Sequence, residues 1–264
     1  MYNKSSLTKC NIFQIHKGYY SKFTFLVNKF IIQAKNNKHY TTIRVTVPEG
    51  QNIYQTAECI YRTFPINKNK FVRIAQFKKM EGYLMPETYF LTVNMNESQI
   101  IDMMYKEFKN KITNSMYKRA HDLNLNFNDV IILASIIEKE VSNSDERRIV
   151  ASIFYNRLNR KIKLQSCATV LYAIGLHKVK LSLNDTKINS PYNTYKYFGL
   201  PPGPICSPSL DSIKAALYPK LSRKLFFVSQ GNGKHLFAKN FEEHKKNKQI
   251  IKRELNEKKK NLSR

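Results

Sequence analysis

Acidic residues are scarce in this chain, and the shortage sets its overall charge. Only 19 Asp and Glu accompany 45 Lys and Arg, so the formal net charge is +26. Such an excess first suggests an anionic partner, such as nucleic acid, anionic lipid or an acidic polymer. Most of the cations are lysine, however, and arginine is the better residue for bidentate recognition of phosphates and bases. The charge is therefore better explained by compositional drift toward A/T-rich codons and by solubility than by nucleic-acid binding.

Cysteine is also rare, and its spacing excludes the common metal motifs. The four cysteines lie far apart, with no CxxC pair and no histidine at metal-ligand spacing. A zinc site or a disulfide scaffold is therefore not expected, and we predict neither a metal nor a cofactor. Free thiols are the favoured state, although two disulfides remain open, for Cys10, Cys59, Cys167 and Cys206.

No apolar run is long enough to cross a membrane. The best candidate, residues 23–32, is ten residues long and is interrupted by Asn28 and Lys29, whereas a span needs roughly 20 apolar residues. It also lacks the small-residue cleavage site of a signal peptide. Interfacial membrane binding, a poorly ordered leader and a partner-docking helix all remain open for it. We predict a basic leader without a clear transmembrane span at residues 1–39 and a basic tail at 247–264.

The remaining composition is that of a folded chain. With 264 residues, 42% of them hydrophobic and 12% aromatic, the chain can bury a core as one large domain or two smaller ones. Alternation and helical spacing predict both strands and helices, so the expected fold class is α+β. The predicted elements are a strand at Thr42–Val47, a helix around Ile53–Arg62, a helix at Ser98–Ile112 capped by Asn96 and Gln99, an apolar helix from Asn128 or Asp129 to Val141, a following helix capped by Asn143 and Glu146, a hairpin spanning residues 225–237, and a charged helix from residue 241.

Two carboxylates end the most apolar of these helices, in the stretch "ASIIEKE" at residues 134–140. Residues two apart on a helix differ by about 200°, so Glu138 and Glu140 cannot face each other as a pair. Glu138 shares its face with Ile131 and Ala134 and should be partly desolvated. Removal of a carboxyl from water favours its protonated form, as a general acid requires. The alternative is a helix end that emerges into water with Glu-Lys-Glu as its solvated surface.

Several loops are rich in tyrosine, amide and hydroxyl side chains. They lie at residues 81–89, 164–169, 190–195 and 199–205, and the last two belong to a stretch holding six of the nine prolines. Each loop alone is compatible with ordinary turn and capping chemistry. Together they also have the composition of a carbohydrate cleft, in which flat rings contact sugar faces and amides bind sugar hydroxyls.

Linked motifs give a more specific indication. "EGYLMPETY", "ASIIEKE", "FYNRL", "SPYNTY", "GLPPGPI" and "GKH" follow one another in this chain, and their order and spacing resemble the YceG-like family, the endolytic murein transglycosylases. The resemblance covers about three-quarters of the chain, from Ile43 to Lys246. It implies a protein at the bacterial inner membrane whose catalytic domain faces the periplasm and cleaves nascent peptidoglycan strands internally. Peptidoglycan synthases are then candidate partners and nucleic acid is not.

The resemblance also implies a reaction and a set of site residues. In a lytic transglycosylase the muramic acid C6 hydroxyl attacks C1 and leaves a 1,6-anhydro end, so the nucleophile is intramolecular and one glutamate can serve as acid and then base. The catalytic glutamate of the family falls on Glu138, with Glu140 and Arg157 as supporting residues. The candidate substrate-binding residues are Glu81, Tyr83, Asn156, Gln165, Tyr192, Asn193, Thr194 and His235.

This chain departs from the family pattern at two places. The family's usual Asp-Pro after "LQS" is Cys167-Ala168 here, which removes an acid near the expected cleft. The region before the catalytic part is short, so residues 40–80 are predicted as a partial LysM-like region ahead of a catalytic domain at 81–246. With no transmembrane span in view, membrane association stays open. A non-catalytic peptidoglycan-binding or synthase-partner protein is the first alternative function, and a basic nucleic-acid-binding protein is the second.

Overall fold

The computed structural model describes residues 42–175 and 181–262. These residues form two compact units: the first unit comprises residues 42–135 and 203–213, and the second comprises 136–202 and 214–262. The apolar segment 23–32 and Cys10 lie outside the described residues. Cys59, Cys167 and Cys206 are not joined to one another by disulfides. Among the described residues, no helix combines the length and the apolar character that crossing a bilayer requires.

Two small antiparallel sheets and a majority of helix confirm the α+β class. In chain order the elements are β1 (Thr42–Thr46), α1 (Ile53–Tyr61), α2 (Lys68–Phe77), β2 (Thr88–Thr92), α3 (Glu97–Lys111), α4 (Asn114–Asp122), α5 (Phe127–Glu140), α6 (Ser144–Asn159), α7 (Cys167–Ile174), a 3-10 turn (Asp185–Lys187), α8 (Leu210–Leu217), β3 (Phe226–Ser229), β4 (His235–Ala238) and α9 (Phe241–Leu262).

The first unit is built on a strand–helix–helix–strand segment. Strand β1 pairs antiparallel with β2, with Thr42 opposite Thr92 and Thr46 opposite Thr88. The predicted alternation is confirmed, because Val45 is buried while its neighbours on β1 are exposed. The region predicted as LysM-like, residues 40–80, contains β1, α1 and α2, and the strand that completes the sheet follows it. The likeness to LysM itself stays a prediction.

Helix α5 begins one or two residues earlier than its apolar run suggests. It begins at Phe127 rather than at Asn128 or Asp129, because the side chain of Asn126 accepts a hydrogen bond from the Asp129 N–H at 2.8 Å. Within the first unit, Ser135 ties the helix to the proline-rich segment: its hydroxyl accepts from the Ile205 N–H at 3.0 Å. The capping box of Asn96 and Gln99 at α3 is confirmed, whereas α2, α4, α7 and α8 were not predicted.

The second unit joins α6 and α7 to the β3–β4 hairpin and α9. The hairpin is confirmed, with Phe226 opposite Ala238, and His244 of α9 stacks on the Phe226 ring at 5.2 Å. At the start of α6, Asn143 caps the helix by accepting from the Asp145 N–H at 3.0 Å. The predicted partnership of Asn143 with Glu146 is half right, because the Glu146 carboxylate binds His235 instead of returning to the cap.

Gly82 is the position where the first unit least tolerates a side chain. Its φ is +85°, and a Cβ there would lie 2.6 Å from two side-chain carbons of Pro204. We predict that Gly82→Ala lowers the free energy of unfolding by about 2–5 kcal/mol, from left-handed strain plus overpacking. Gly199→Ala is the control, since its φ is +82° but nothing lies within 4 Å, and it should cost only about 1–2 kcal/mol. Urea titrations that give equal losses for both variants would contradict the packing argument.

Candidate active site

Glu138 ends the buried face of α5 in the second unit, and it is not a solvated helix end. Its side chain is 7% exposed, and its carboxylate lies 3.4 Å from the Arg147 guanidinium, whose side chain is 9% exposed. Arg147 is itself held in place, because its Nε donates to the Val141 carbonyl at 3.3 Å. The expectation of a desolvated carboxyl at this position is therefore confirmed. A carboxyl with so little access to water needs a polar partner, and Arg147 provides one.

Glu140 has a different set of partners. Its carboxylate accepts from the Ser166 hydroxyl at 2.6 Å, immediately before the N-terminus of α7. Burial raises the pKa of Glu140, and the Ser166 hydrogen bond, the α7 N–H groups of Ala168 and Cys167 and the charge of His235 partly oppose that rise. The two acids of "EKE" thus have separate partners, as their angular separation predicts. Glu140 joins the end of α5 to the start of α7.

His235, the first residue of β4, is clamped by one carboxylate. Its ring Nδ1 lies 2.7 Å from Glu146 Oε2, and its backbone N–H donates to Glu146 Oε1 at 3.2 Å. The two side chains are 7% and 14% exposed. Phe227 and Phe237 lie near the imidazole ring, at centroid distances of 5.6 and 6.4 Å. The hairpin therefore presents an oriented imidazole, not a mobile surface histidine.

Arg157 supports the architecture of the second unit. Its guanidinium donates to the carbonyl groups of Leu164 at 2.9 Å and Leu225 at 2.8 Å, and it lies over the Phe226 ring at 5.0 Å. It also reaches the side-chain oxygen of Gln165 at 3.3 Å. Arg157 thereby joins α6, the loop before α7 and the hairpin, and it holds exposed Gln165 at a left-handed φ of +53°.

Asn193 and Thr194 are buried and engaged with the backbone. The Asn193 amide donates to the carbonyl groups of Thr186 at 3.0 Å and Ile188 at 2.8 Å. The Thr194 hydroxyl accepts from the Ser166 N–H at 3.0 Å. Both side chains therefore shape the loop that faces the start of α7 in this structure, and a direct contact with substrate stays a prediction for them.

Tyr192 and Asn156 differ in whether their side chains have groups available to bind a ligand. The Tyr192 ring is half-buried and packs at a tilt against Tyr172, with centroids 4.9 Å apart. The Asn156 amide donates to the carbonyl groups of Ser222 at 2.8 Å and Lys224 at 2.9 Å, which fixes the chain entering β3. Tyr192 keeps the aromatic surface that a sugar face requires, whereas both Asn156 donors are already used.

Cys167 stands where the sequence resemblance predicts an acid. Its thiol lies 3.0 Å from the Tyr195 hydroxyl. Burial raises the pKa of the Cys167 thiol, and the nearby charge of Glu140 raises it further. The thiol is therefore neutral at neutral pH, so the substitution replaces a potential charge with a neutral, weakly polar group.

Glu81 and Tyr83 lie in the first unit. Glu81 Oε2 accepts from the Ile53 N–H at 3.4 Å, at the N-terminus of α1. The Tyr83 hydroxyl donates to Asn128 Oδ1 at 2.8 Å, and burial raises the pKa of Tyr83 to about 12. Their membership of one cleft with Glu138 stays a prediction.

Three residues that the sequence analysis did not predict as site residues complete the site. Arg147 pairs with Glu138, Glu146 clamps His235, and Ser166 donates to Glu140. The sequence signal for Glu146 and Arg147 was a pair of adjacent charges at the start of a helix. Such a pair does not identify a site, because capping and the helix dipole also favour charged residues there. Ser166 carried no signal beyond its place in the loop before α7.

Comparison with known proteins identifies the family of this chain. The model of the YceG-like family matches residues 2–250, and the chain belongs to that family. A protein of Bacillus subtilis named endolytic murein transglycosylase is 35% identical over 81% of this chain and 67% of its own length. One of the same name from Streptococcus pneumoniae D39 is 39% identical, over 64% of this chain but only 32% of its own length. The solved structure of a YceG-like protein from Listeria monocytogenes superposes with a TM-score of 0.71 at 32% identity, covering 83% of this chain and 80% of that one.

Burial of the Glu140 carboxyl predicts the direction in which folding stability changes with pH. Because folding raises its pKa, its contribution to stability is present below the unfolded pKa and is lost as pH rises through the folded pKa. The difference in unfolding free energy between Glu140→Gln and the wild type should therefore move in favour of the variant between about pH 4 and pH 7. Denaturant titrations across that range would measure it.

Glu58→Gln provides a control of opposite sign. Its hydrogen bond with Lys68 lowers the pKa of Glu58, so its contribution is present at neutral pH and is lost as pH falls. As pH rises, the unfolding free energy of Glu58→Gln should therefore fall relative to that of the wild type. The change should be small because the pair of Glu58 and Lys68 is exposed. Parallel pH trends in the two variants would show that burial of Glu140 is not the cause.

Proposed function

We propose that this chain is an endolytic murein transglycosylase acting on peptidoglycan glycan strands. Family membership and the names of its relatives support the activity. The observation that carries the assignment to Glu138 is its desolvated carboxyl, which pairs with Arg147. The sequence motif also implies that Glu138 is the family's catalytic glutamate. Under this proposal the products end in 1,6-anhydro-N-acetylmuramyl residues, and the cleavage terminates strand elongation.

The reaction needs only one carboxyl group at the scissile bond. Glu138 donates its proton to the glycosidic oxygen that leaves C1, and the C6 hydroxyl of the same muramic acid forms the new bond to C1. Attack from within the sugar replaces the second carboxylate of an ordinary glycosidase by proximity. Glu140 then has a supporting role, consistent with its hydrogen bond at the start of α7.

Arg147 is the positioning residue of this mechanism. Its guanidinium contacts Glu138 and its Nε is fixed on the Val141 carbonyl, so the carboxylate is held in one orientation. A group placed this way is preorganised, which contributes to transition-state stabilisation without reorganisation during the reaction.

The cellular setting follows from the same proposal. The enzyme would act at the periplasmic face of the bacterial inner membrane, where peptidoglycan strands are made, and peptidoglycan synthases are its candidate partners. The resemblance of the sequence motifs supports this setting, and the names of the relatives support murein as the material acted on.

A second candidate function is binding of peptidoglycan without cleavage. The neutral Cys167, which stands in place of the family's acid beside Tyr195, is the observation that favours it. It predicts retention on murein sacculi without release of any product.

Product analysis by mass spectrometry tests the proposal. Purified glycan strands incubated with the wild type should yield internal fragments with 1,6-anhydro ends, which are one water lighter than hydrolysed ends. Glu138→Gln should lower the rate by about 100-fold or more, since it removes the general acid.

Glu242→Gln is the control, because that carboxylate is exposed and pairs with Lys245 on the surface of α9. It should leave the rate unchanged. Hydrolysed reducing ends from the wild type, or undiminished cleavage by Glu138→Gln, would contradict the proposal. Sacculus binding without any product would favour the second candidate instead.

A further inference from the structure

The pair of His235 and Glu146 is not used by a mechanism with a single glutamate, yet it has the geometry of a proton-transfer dyad. One carboxylate receives both the ring Nδ1 of His235, at 2.7 Å, and its backbone N–H, at 3.2 Å. Both contacts fix the imidazole relative to α6, and the side chain is only 7% exposed. So restricted an orientation is not needed merely to fill space between Phe227 and Phe237.

The hydrogen bond to Glu146 decides which nitrogen of His235 can act as a base. In the neutral ring, an N–H at Nδ1 that donates to a carboxylate leaves a lone pair on Nε2. No residue in the described part of the chain hydrogen-bonds that second nitrogen. The carboxylate also stabilises the imidazolium that forms when Nε2 takes a proton, as a carboxylate does beside the catalytic histidine of serine hydrolases.

The dyad belongs to the same part of the second unit as Glu138. Glu146 and Arg147 are consecutive residues of α6, and the second of them pairs with Glu138. The charge of His235 acts on Glu140, two residues after Glu138. The hairpin turn also lies beside the chain that follows Glu140, since a Cβ on Gly233 would be 3.9 Å from the Ser142 hydroxyl oxygen.

We propose that His235, oriented by Glu146, is the base that takes the C6 hydroxyl proton in this reaction. The inference rests on the proposed function. As the C6 oxygen forms its bond to C1, its proton passes to Nε2 of His235, while the bond from C1 to the leaving oxygen breaks and that oxygen takes the proton of Glu138. The step ends with an imidazolium, paired with Glu146, and a Glu138 carboxylate, paired with Arg147. Transfer of the imidazolium proton to solvent and uptake of one by Glu138 restore the starting state.

In this mechanism Glu138 is the general acid and His235 is the general base. The single-glutamate mechanism assigns both roles to Glu138, one after the other. The difference is measurable, because a neutral imidazole becomes a requirement for the reaction. Activity should therefore depend on an unprotonated imidazole, which a mechanism with glutamate alone does not require.

The pH profile of kcat/KM on purified glycan strands is the test. We expect His235→Gln to lower kcat by about 100-fold or more and to remove the acid limb that the imidazole causes. Glu146→Gln, which retains the size of the side chain but not its charge, should lower kcat and displace that limb. Free imidazole should restore part of the activity of His235→Ala, a recovery that a purely structural role would not produce.

His121→Gln is the matched control, since His121 is an exposed histidine on α4 of the first unit, and it should retain the wild-type profile. An unchanged acid limb in His235→Gln, or a rise in KM with kcat preserved, would overturn the proposal and make His235 a binding residue. If the wild type forms no anhydro ends, the proposed function and this inference fail together. If Glu138→Gln is inactive while His235→Gln retains the limb, only this inference fails.

Discussion

Two carboxylates at the end of one buried helix are the constraint on which the second unit depends. Each must leave water when α5 folds, and an unpaired buried charge costs several kcal/mol. The chain meets this cost in two ways. Arg147 provides an opposite charge for Glu138, whereas Glu140 receives the Ser166 hydroxyl and the N-terminus of α7, and burial raises its pKa. The two acids therefore have different chemistry although one residue separates them.

The first turns of α6 connect this helix end to the hairpin. Consecutive helical residues point about 100° apart, so Glu146 and Arg147 reach different partners from one turn. Arg147 fixes Glu138, and Glu146 fixes His235. A single rigid element thus orients both side chains that the proposed reaction uses, and such sites are more precise than sites assembled from loops alone.

The sequence predicted the parts of this structure that depend on local periodicity. The alternation in β1, the capping box of α3, the apolar face of α5 and the hairpin around Gly231 to Gly233 were all readable from short windows. The angle between Glu138 and Glu140 also followed from helical geometry. The resemblance to the YceG-like family supplied the function and the catalytic assignment, which periodicity alone could not provide.

What could not be predicted depends on contacts between distant residues. The sequence around Glu146 fits a helix-capping residue, and nothing in it shows that Glu146 binds His235, 89 positions later. Asn193 was a reasonable substrate ligand from its loop, but burial turned its amide toward the backbone of that loop. In the same way, the main-chain carbonyl groups of Leu164 and Leu225, which both accept from Arg157, are far apart in the sequence and become neighbours only on folding.

The division of roles within "EKE" is the central claim, and one comparison addresses it directly. Glu138→Gln and Glu140→Gln would be assayed side by side for the rate of 1,6-anhydro end formation on the same glycan strands, at one pH and with folding verified by circular dichroism. The account predicts that the Glu138 variant loses at least about 100-fold in rate, while the Glu140 variant retains product formation. Loss of the reaction in Glu140→Gln together with near-normal rates in Glu138→Gln would contradict it.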